Sequence, residues 1–351
     1  MGTLVFLFTI RSYSMKKLFS KNNIIKINLI ALLLIFTFVG CSKDDNINEP
    51  QINESEVLLK YLEENGDFIN TAAPTMITAE EIKTQLSVDP TKIHIIDLRP
   101  AADFANGHIE GAVNIELAKL RQHFQSINPA SYTKIAIVCF SGQTASYAAS
   151  LMRLLGYNNV FALKWGMASW HTDFKEAWTK KLSNARATQF VKDETPKGPA
   201  GPLPTINTGK KTAKEILEAR VDALLAKGYT EATITPDEVF SKLNSLYIVN
   251  YWPKEQYLDP GHIPGAMQYT PKADLKSTTY LKTLPSNKTV VLYCYTGQTS
   301  SFLSAYLRLL GYDAKSILFG ANAMIYDLMK AKDKGFTYWK DTECKDYDYK
   351  K

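Results

Sequence analysis

The chain has 351 residues, of which 45% are hydrophobic and 22% are charged; this is the composition of an ordinary globular protein with room for two domains. Its formal net charge of +6 includes Arg11, Lys16, Lys17, Lys21 and Lys26, which no acidic residue accompanies in the first 40 positions. Without these five cations the net charge is +1, so the rest of the chain has no basic excess that would predict a nucleic-acid partner.

Residues 1–40 predict a signal peptide whose natural start is Met15. A basic pair follows Met15, and the apolar run over 29–39 has eleven residues, which is short for a membrane span and typical of a signal-peptide core. The run ends at Gly40-Cys41, which resembles the lipobox of bacterial lipoproteins, although Phe38 stands where leucine is usual. The resemblance implies that Cys41 is lipidated and becomes the first mature residue. The alternative is an uncleaved membrane anchor.

Residues 41–73 predict a tether followed by a lead-in helix. The stretch from Ser42 to Glu54 is polar and is typical of a solvated tether. Its acidic pair, Asp44 and Asp45, also resembles the surface-export signal of some bacterial lipoproteins. We therefore expect a lipid-anchored protein of the bacterial cell envelope, attached to the outer membrane on its periplasmic or its surface-exposed side.

The first predicted domain covers residues 74–170 and alternates strands with helices. A helix over 55–65 precedes it, and Thr78 followed by Glu81 is a capping pattern at the start of another helix. Short apolar runs predict strands over 93–97, 135–139 and 159–163. We expect residues 169–191 to pack back on this domain.

The same order of elements returns after a linker. Residues 192–211 contain four prolines and three glycines, typical of an exposed linker, and the linker with its following helix is expected over 171–230. The second domain is predicted over 231–339, and a charged tail over 340–351. Its apolar runs predict strands over 246–250, 289–294 and 315–319. In both domains this alternation predicts an α/β fold, a parallel sheet with helices on both faces, which binds ligands at the carboxyl ends of its strands.

A cysteine stretch follows a predicted strand in each half. The first Cys loop is Cys139-Phe140-Ser141-Gly142-Gln143-Thr144, and the second, 155 positions later, is Cys294-Tyr295-Thr296-Gly297-Gln298-Thr299. A loop that turns around a glycine into a helix directs backbone N–H groups and the positive end of the helix dipole at the sulfur. Such a cradle favours a thiolate or an anionic persulfide, and it predicts that the pKa of Cys139 is lowered. The alternative, a buried structural cysteine, does not explain two copies of the loop.

Apart from the lipidation expected at Cys41, the cysteines outside the two Cys loops predict no further chemistry. No Cys-x-x-Cys pair and no Cys/His cluster with zinc-ligand spacing occurs in the sequence, so we expect no metal site and no disulfide framework. We assign no function to Cys344, which lies in the charged tail.

Three motifs together resemble the rhodanese family. Asp97-Leu98-Arg99 follows the first strand, the Gly-His-Ile-x-Gly-Ala motif spans 107–112, and each Cys loop has glycine at its fourth position. The resemblance covers both halves and implies tandem rhodanese-like domains. It also implies a sulfurtransferase whose cysteine accepts a sulfane sulfur from a small donor and passes it to a thiol acceptor. The loop residues after each cysteine would bind the substrate, and no cofactor is implied because the cysteine carries the sulfur covalently.

The second half departs from the pattern beside its Cys loop. It has Asn250-Tyr251-Trp252 where the first half has Asp97-Leu98-Arg99. If the acid and the base support the first Cys loop, the second loop keeps its sulfur and loses this support. We therefore expect Cys139 to be the main nucleophile and Cys294 to be a second catalytic site.

Two other functions use a similar loop. A phosphatase or arsenate reductase of this fold needs an arginine six positions after the cysteine to clamp the oxyanion, and these positions are Ala145 and Ser300. A non-catalytic envelope module would sense sulfide or oxidants through its thiols.

Neither loop contains lysine or arginine, so charge for thiosulfate would have to come from backbone N–H groups, Arg99 or Lys164. This favours persulfide or polysulfide donors.

Overall fold

The computed structural model describes residues 53–351. The predicted signal peptide, Cys41 and most of the tether lie outside the described residues. Between residues 53 and 351, no helix has both the length and the apolar character that a membrane crossing needs. This part of the chain forms two parallel sheets of five strands each.

The first sheet lies in the first predicted domain. Its elements and those next to it are, in chain order, α1 (Glu54–Glu64), α2 (Phe68–Thr71), β1 (Met76–Ile77), α3 (Ala79–Val88), β2 (Ile93–Asp97), α4 (Ala101–Asn106), β3 (Val113–Asn114), α5 (Leu120–Ser126), β4 (Lys134–Val138), α6 (Gln143–Leu154), β5 (Val160–Leu163) and α7 (Glu176–Thr179). Thr78 and Glu81 form a capping box at the start of α3, as the sequence predicts.

The second sheet repeats the first. Its elements and those next to it are α8 (Ala213–Lys227), β6 (Thr233–Ile234), α9 (Pro236–Ser241), β7 (Tyr247–Asn250), α10 (Lys254–Leu258), β8 (Met267–Gln268), β9 (Val290–Tyr293), α11 (Gln298–Leu309), β10 (Ala314–Ile317) and α12 (Tyr326–Lys332). The strand orders are β1-β5-β4-β2-β3 and β6-β10-β9-β7-β8. All pairings within both sheets are parallel. The predicted α/β class with two repeated parallel sheets is therefore confirmed.

The two domains share one hydrophobic core through the helices that follow the Cys loops. Helices α6 and α11 pack against each other, and Ser150 of α6 donates its hydroxyl to the carbonyl of Phe302 at 2.9 Å. A single cluster of buried apolar side chains includes Ile137 and Leu151 of the first domain and Leu292 and Phe302 of the second. Each Cys loop leads into one of these helices, so both loops lie at the N-terminal ends of the helix pair.

Each domain sends its C-terminal extension across to the other. After the first domain, Val191 and His262 exchange two backbone hydrogen bonds of 2.9 and 2.8 Å. At the end of the chain, His108 and Lys350 exchange the equivalent pair, at 2.8 and 2.9 Å. Residues 183–191 therefore contact the second domain, so the expectation that 169–191 pack back on the first domain is wrong for this part. It holds for 169–182, where Trp178 donates to the Ser141 carbonyl of the first domain. The charged tail, in turn, is docked on the first domain.

Part of the predicted exposed linker is also packed. Leu203 and Ile206 are buried in the shared core. The carboxylate of Glu54 accepts the backbone N–H groups of Thr208 and Gly209 at 2.7 and 3.0 Å. The prediction of an exposed linker is therefore wrong for this part, because its composition does not show that its isolated apolar side chains find a core to enter.

Candidate functional site

Cys139 lies immediately after β4, with its sulfur turned into the loop that follows. The backbone N–H groups of Gly142 and Ala145 donate to Cys139 Sγ at 3.2 and 3.3 Å. Gly142 has a φ of +83°, a value that glycine adopts without the penalty of a side chain. The predicted cradle of backbone donors is therefore present around the sulfur.

Burial opposes this cradle. The Cys139 residue is only 4% exposed, and burial raises the pKa of its thiol, against which the hydrogen bonds from Ala145, Ser141 and Gly142 act in the lowering direction. The Asp97 carboxylate raises this pKa as well. The predicted lowering of the Cys139 pKa is therefore wrong in direction, because desolvation of the thiolate outweighs the backbone donors.

Cys294 occupies the equivalent position after β9 but has a different set of donors. The backbone N–H of Ser300 donates to Cys294 Sγ at 3.4 Å. Two hydroxyl oxygens also lie within reach of the sulfur, Ser300 Oγ at 3.6 Å and Thr296 Oγ1 at 4.0 Å. The Cys294 residue is 3% exposed. Both sulfurs are thus nearly enclosed by protein.

The glutamines of the two Cys loops are exchanged between the domains. Gln143 Oε1 accepts the backbone N–H of Phe319 at 2.8 Å, and Gln298 Oε1 accepts the backbone N–H of Trp165 at 2.9 Å. Both glutamines are buried. Each glutamine amide packs so closely against the glycine of the opposite loop that a Cβ on that glycine would collide with it. The sequence places both glutamines among the substrate-binding residues; the structure has them binding the other domain.

The remaining loop residues lie at varying depth. Phe140 is the most open, with 44% of its surface exposed, while Thr296 is buried. The side chains of intermediate exposure are Ser141, Thr144, Tyr295 and Thr299. The second residue of each Cys loop, Phe140 or Tyr295, is thus an aromatic side chain that is partly exposed to solvent.

Asp97 and Arg99 form a buried ion pair beside the first Cys loop. Arg99 Nη2 lies 2.7 Å from Asp97 Oδ2, and Arg99 Nε contacts both carboxylate oxygens at 3.0 and 3.1 Å. Arg99 Nη2 also donates to the Gly107 carbonyl at 2.6 Å. The guanidinium carbon lies 5.7 Å from the ring centre of Phe140 and 5.4 Å from that of Phe174. Arg99 therefore links the strand end, the Gly-His turn and Phe140 of the first Cys loop.

An aromatic cluster replaces this ion pair in the second domain. Trp252 stacks on Tyr295 with ring centres 5.1 Å apart, and Phe336 lies 6.2 Å from Trp252. Asn250 is fully buried, and neither its amide oxygen nor its amide nitrogen has a hydrogen-bond partner. The second loop thus has a support of its own, which the sequence comparison of Asp97 and Arg99 with Asn250 and Trp252 did not indicate.

Sequence motifs missed the side chains that come from outside the loop. Trp178 Nε1 donates to the carbonyls of Ser141 and Trp165 at 3.1 and 3.2 Å. Ser316 of β10 bonds Ser300 Oγ at 2.7 Å. The only sequence signal for Ser316 is that its counterpart in the first repeat is Ala162. Residues 53–351 contain no group of three or more His, Cys, Asp and Glu side chains that could hold a metal ion.

Comparison with known families agrees with this architecture. The Rhodanese-like domain family matches residues 78–173 and 235–341, one stretch for each sheet. The chain belongs to the rhodanese-like domain family. The two matches share one order of elements, and each rhodanese-like domain carries its own Cys loop.

Its relatives include single-domain matches at low identity. YrkF of Bacillus subtilis is 28% identical over 119 residues, which are 33% of this chain and 63% of that protein. The thiosulfate sulfurtransferase GlpE of Shewanella oneidensis is 34% identical over 80 residues, 22% of this chain and 76% of that protein. A solved thiosulfate sulfurtransferase from Pseudomonas aeruginosa aligns with 81% of this chain and 49% of its own, at 17% identity and a TM-score of 0.29. The chain is thus distantly homologous to thiosulfate sulfurtransferases.

Proposed function

We propose that this tandem rhodanese-like protein is a sulfurtransferase that carries sulfane sulfur as a persulfide on Cys139 and Cys294. The observation that supports it best is the pair of sulfurs, each at the carboxyl end of a central strand and each accepting backbone N–H donors. Backbone donors stabilise an anionic sulfur without a metal or a second nucleophile. The proposal covers both domains, because each loop keeps this arrangement.

The transfer has two displacement steps. A cysteine thiolate attacks the outer sulfur of a persulfide R–S–SH, so that a new S–S bond forms, the donor S–S bond breaks, and R–S⁻ leaves with the electron pair. The cysteine is now Cys–S–SH. An acceptor thiolate attacks the outer sulfur, takes it as its own persulfide, and releases the cysteine thiolate. The two steps involve no net oxidation or reduction and need no further reactant.

The charges near the first site favour a persulfide or polysulfide donor over thiosulfate. Arg99 is held by Asp97 and Gly107. Lys164 Nζ lies 3.5 Å from Glu343 Oε1 and is only partly exposed. Both cations that the sequence offers for a dianion are therefore already paired. A dianion placed here would lack a charge-assisted partner for one of its oxygens.

The test is sulfur transfer by the full-length protein in detergent. We expect an organic persulfide to load Cys139 and Cys294, seen as a gain of one sulfur on each peptide by mass spectrometry, and cyanide to release thiocyanate. With thiosulfate the rate should be at least about tenfold lower, since one missing charge-assisted hydrogen bond costs that much. C139S/C294S should lose all turnover, while C344S serves as the matched control and keeps it. Turnover in the double variant would refute the proposal.

A module that senses sulfide or oxidants without turnover is disfavoured, because the thiols that oxidants attack are exposed and of low pKa, whereas both sulfurs here are nearly enclosed. In the same experiment this candidate predicts persulfide on both peptides with no release to cyanide or to a thiol acceptor.

We propose that the protein is anchored to the cell envelope through lipid on Cys41. The proposal is supported by the apolar run that ends at Gly40-Cys41. C41A is expected to abolish metabolic lipid labelling and to move the protein from the membrane fraction to the soluble fraction, since retention depends on the acyl chains. C344A is the matched control and should leave both unchanged. Labelling that persists in C41A would rule out this anchor.

A further inference from the structure

Two buried hydroxyl groups lie beside the second Cys loop at positions where the first domain has none. Ser300 and Ser316 are fully buried. Their counterparts in the first repeat are Ala145 and Ala162, which are also fully buried. The counterparts follow from the register, since Ser316 pairs with the residue two positions before Cys294, as Ala162 does before Cys139. The difference therefore adds polar groups at an otherwise equivalent place.

The two hydroxyls form a chain of hydrogen bonds that ends at the sulfur of Cys294. Ser316 Oγ lies 2.7 Å from Ser300 Oγ, and Ser300 Oγ lies 3.6 Å from Cys294 Sγ. Both hydroxyls are also placed to donate to the Gly297 carbonyl, each at 3.2 Å. It already accepts the N–H of Ser301 at 3.1 Å and the Ser301 hydroxyl at 2.6 Å.

The number of available protons and lone pairs decides which group donates in each of these hydrogen bonds. A carbonyl oxygen has two lone pairs, and the amide and hydroxyl of Ser301 satisfy both at Gly297. Each serine hydroxyl has one proton to donate. When Ser316 donates to Ser300, the proton of Ser300 is left for the sulfur, which is the acceptor that gains most from it as an anion.

We propose that Ser300, oriented by Ser316, donates a hydrogen bond to the anionic sulfur of Cys294 and thereby makes Cys294 the more reactive of the two cysteines near pH 7. This inference rests on the proposed sulfur transfer and assigns the first loading step to the second domain. The same hydrogen bond stabilises the Cys294 thiolate when it leaves in the second displacement. The ranking that the sequence predicts, with Cys139 ahead of Cys294, is thereby reversed.

The neighbouring titratable groups point the same way. Tyr229 and Tyr295 interact with Cys294, and burial raises the pKa of both, so they are neutral near pH 7. Tyr229 interacts with Cys139 as well and therefore does not separate the two sites. Asp97 disfavours a thiolate on Cys139, whereas its counterpart in the second domain is the uncharged Asn250.

The experiment measures alkylation of each cysteine in the full-length protein. Iodoacetamide labelling is followed peptide by peptide, so that Cys139, Cys294 and Cys344 are timed in one sample from pH 6 to pH 10. At pH 7 we expect Cys294 to react faster than Cys139. S300A should slow Cys294 about tenfold at pH 7, the value of one hydrogen bond to a charged group, and by much less at pH 10. S300T, which keeps the hydroxyl, should restore most of the rate.

The chain offers a matched control in the same helix. Ser304 is also buried, its hydroxyl bonds the Ser301 carbonyl at 3.0 Å, and its counterpart in the first repeat is Ala149. S304A should therefore leave Cys294 alkylation unchanged. Alanine at the counterparts of both serines indicates that the fold tolerates S300A and S304A. S316A should give a smaller loss than S300A, because it removes the group that orients Ser300.

Two results would overturn the inference. One is a Cys294 alkylation rate at pH 7 that S300A changes by less than about twofold; the other is an equal loss in S304A. Alkylation requires no sulfur donor, so it tests the hydrogen bond even if no thiocyanate is ever released. Conversely, normal sulfur transfer together with an unchanged Cys294 rate in S300A would leave the sulfurtransferase standing and refute the function of Ser300.

Discussion

Replacing Arg99 with alanine is expected to destabilise the protein by about 3–5 kcal/mol, because it leaves a buried carboxylate without its partner. Asp97 and Arg99 are both buried, and their contacts extend to the Gly107 carbonyl. Phe140 and Phe174 would lose the guanidinium that lies against their rings. R99A should therefore lower the free energy of unfolding and also make the first Cys loop less ordered.

The second repeat supplies the control for this change. D97N/R99W gives the first domain the residues that Asn250 and Trp252 provide in the second, where Trp252 stacks on Tyr295. This double variant removes both charges together, so it should cost much less than R99A. Urea unfolding midpoints of the full-length variants measure the difference. Equal midpoints for R99A and D97N/R99W would show that the stranded charge is not what destabilises the chain.

The sequence predicts the central strands well and the edge strands poorly. The predicted run over 93–97 is strand β2, Ile93–Asp97, because its isoleucines form an apolar run between clear helix signals. The edge strands Met76–Ile77 and Met267–Gln268 have two residues each. Such strands are too short to show any periodicity, and only the neighbouring strand in the sheet defines them.

The Cys loops show a second limit of sequence reasoning. Their repetition indicated correctly that glycine, cysteine and backbone donors form a cradle. It could not show that Gln143 and Gln298 bind Phe319 and Trp165 of the opposite domain, since a repeated motif does not state which copy its side chains contact. The sequence likewise predicted a charged tail over 340–351 but could not show that its Lys350 pairs with His108 of the first domain.

The Cys139 pKa shows a third limit. The loop motif shows the backbone donors around the Cys139 sulfur but not the protein that buries them. Burial depends on the packing of two domains around a shared helix pair, and no local motif encodes it. Desolvation is the larger effect on the Cys139 thiol, so the direction of the shift could be read only from the folded chain.

The exchanged glutamines should couple the two Cys loops. Q143A leaves the partly buried N–H of Phe319 unpaired, and Q298A leaves the buried N–H of Trp165 unpaired; each loss is expected to cost about 1–3 kcal/mol. Because both amides bridge the same domain contact, Q143A/Q298A should cost less than the sum of the single changes. Urea unfolding of the three variants measures this coupling. Q125A, on an exposed part of α5, is the matched control and should have no effect.

The same variants should open both sulfurs to solvent. Each Cys loop is closed in part by the glutamine of the other, and the cysteines are only 4% and 3% exposed. A loosened contact in Q143A should therefore accelerate alkylation of Cys294 as well as of Cys139, although Gln143 belongs to the first loop alone. A change confined to Cys139 would mean that the loops respond independently. Acceleration of both cysteines by either single change would make the domain contact a common gate for sulfur entry, since one bridging amide then controls access to two sites.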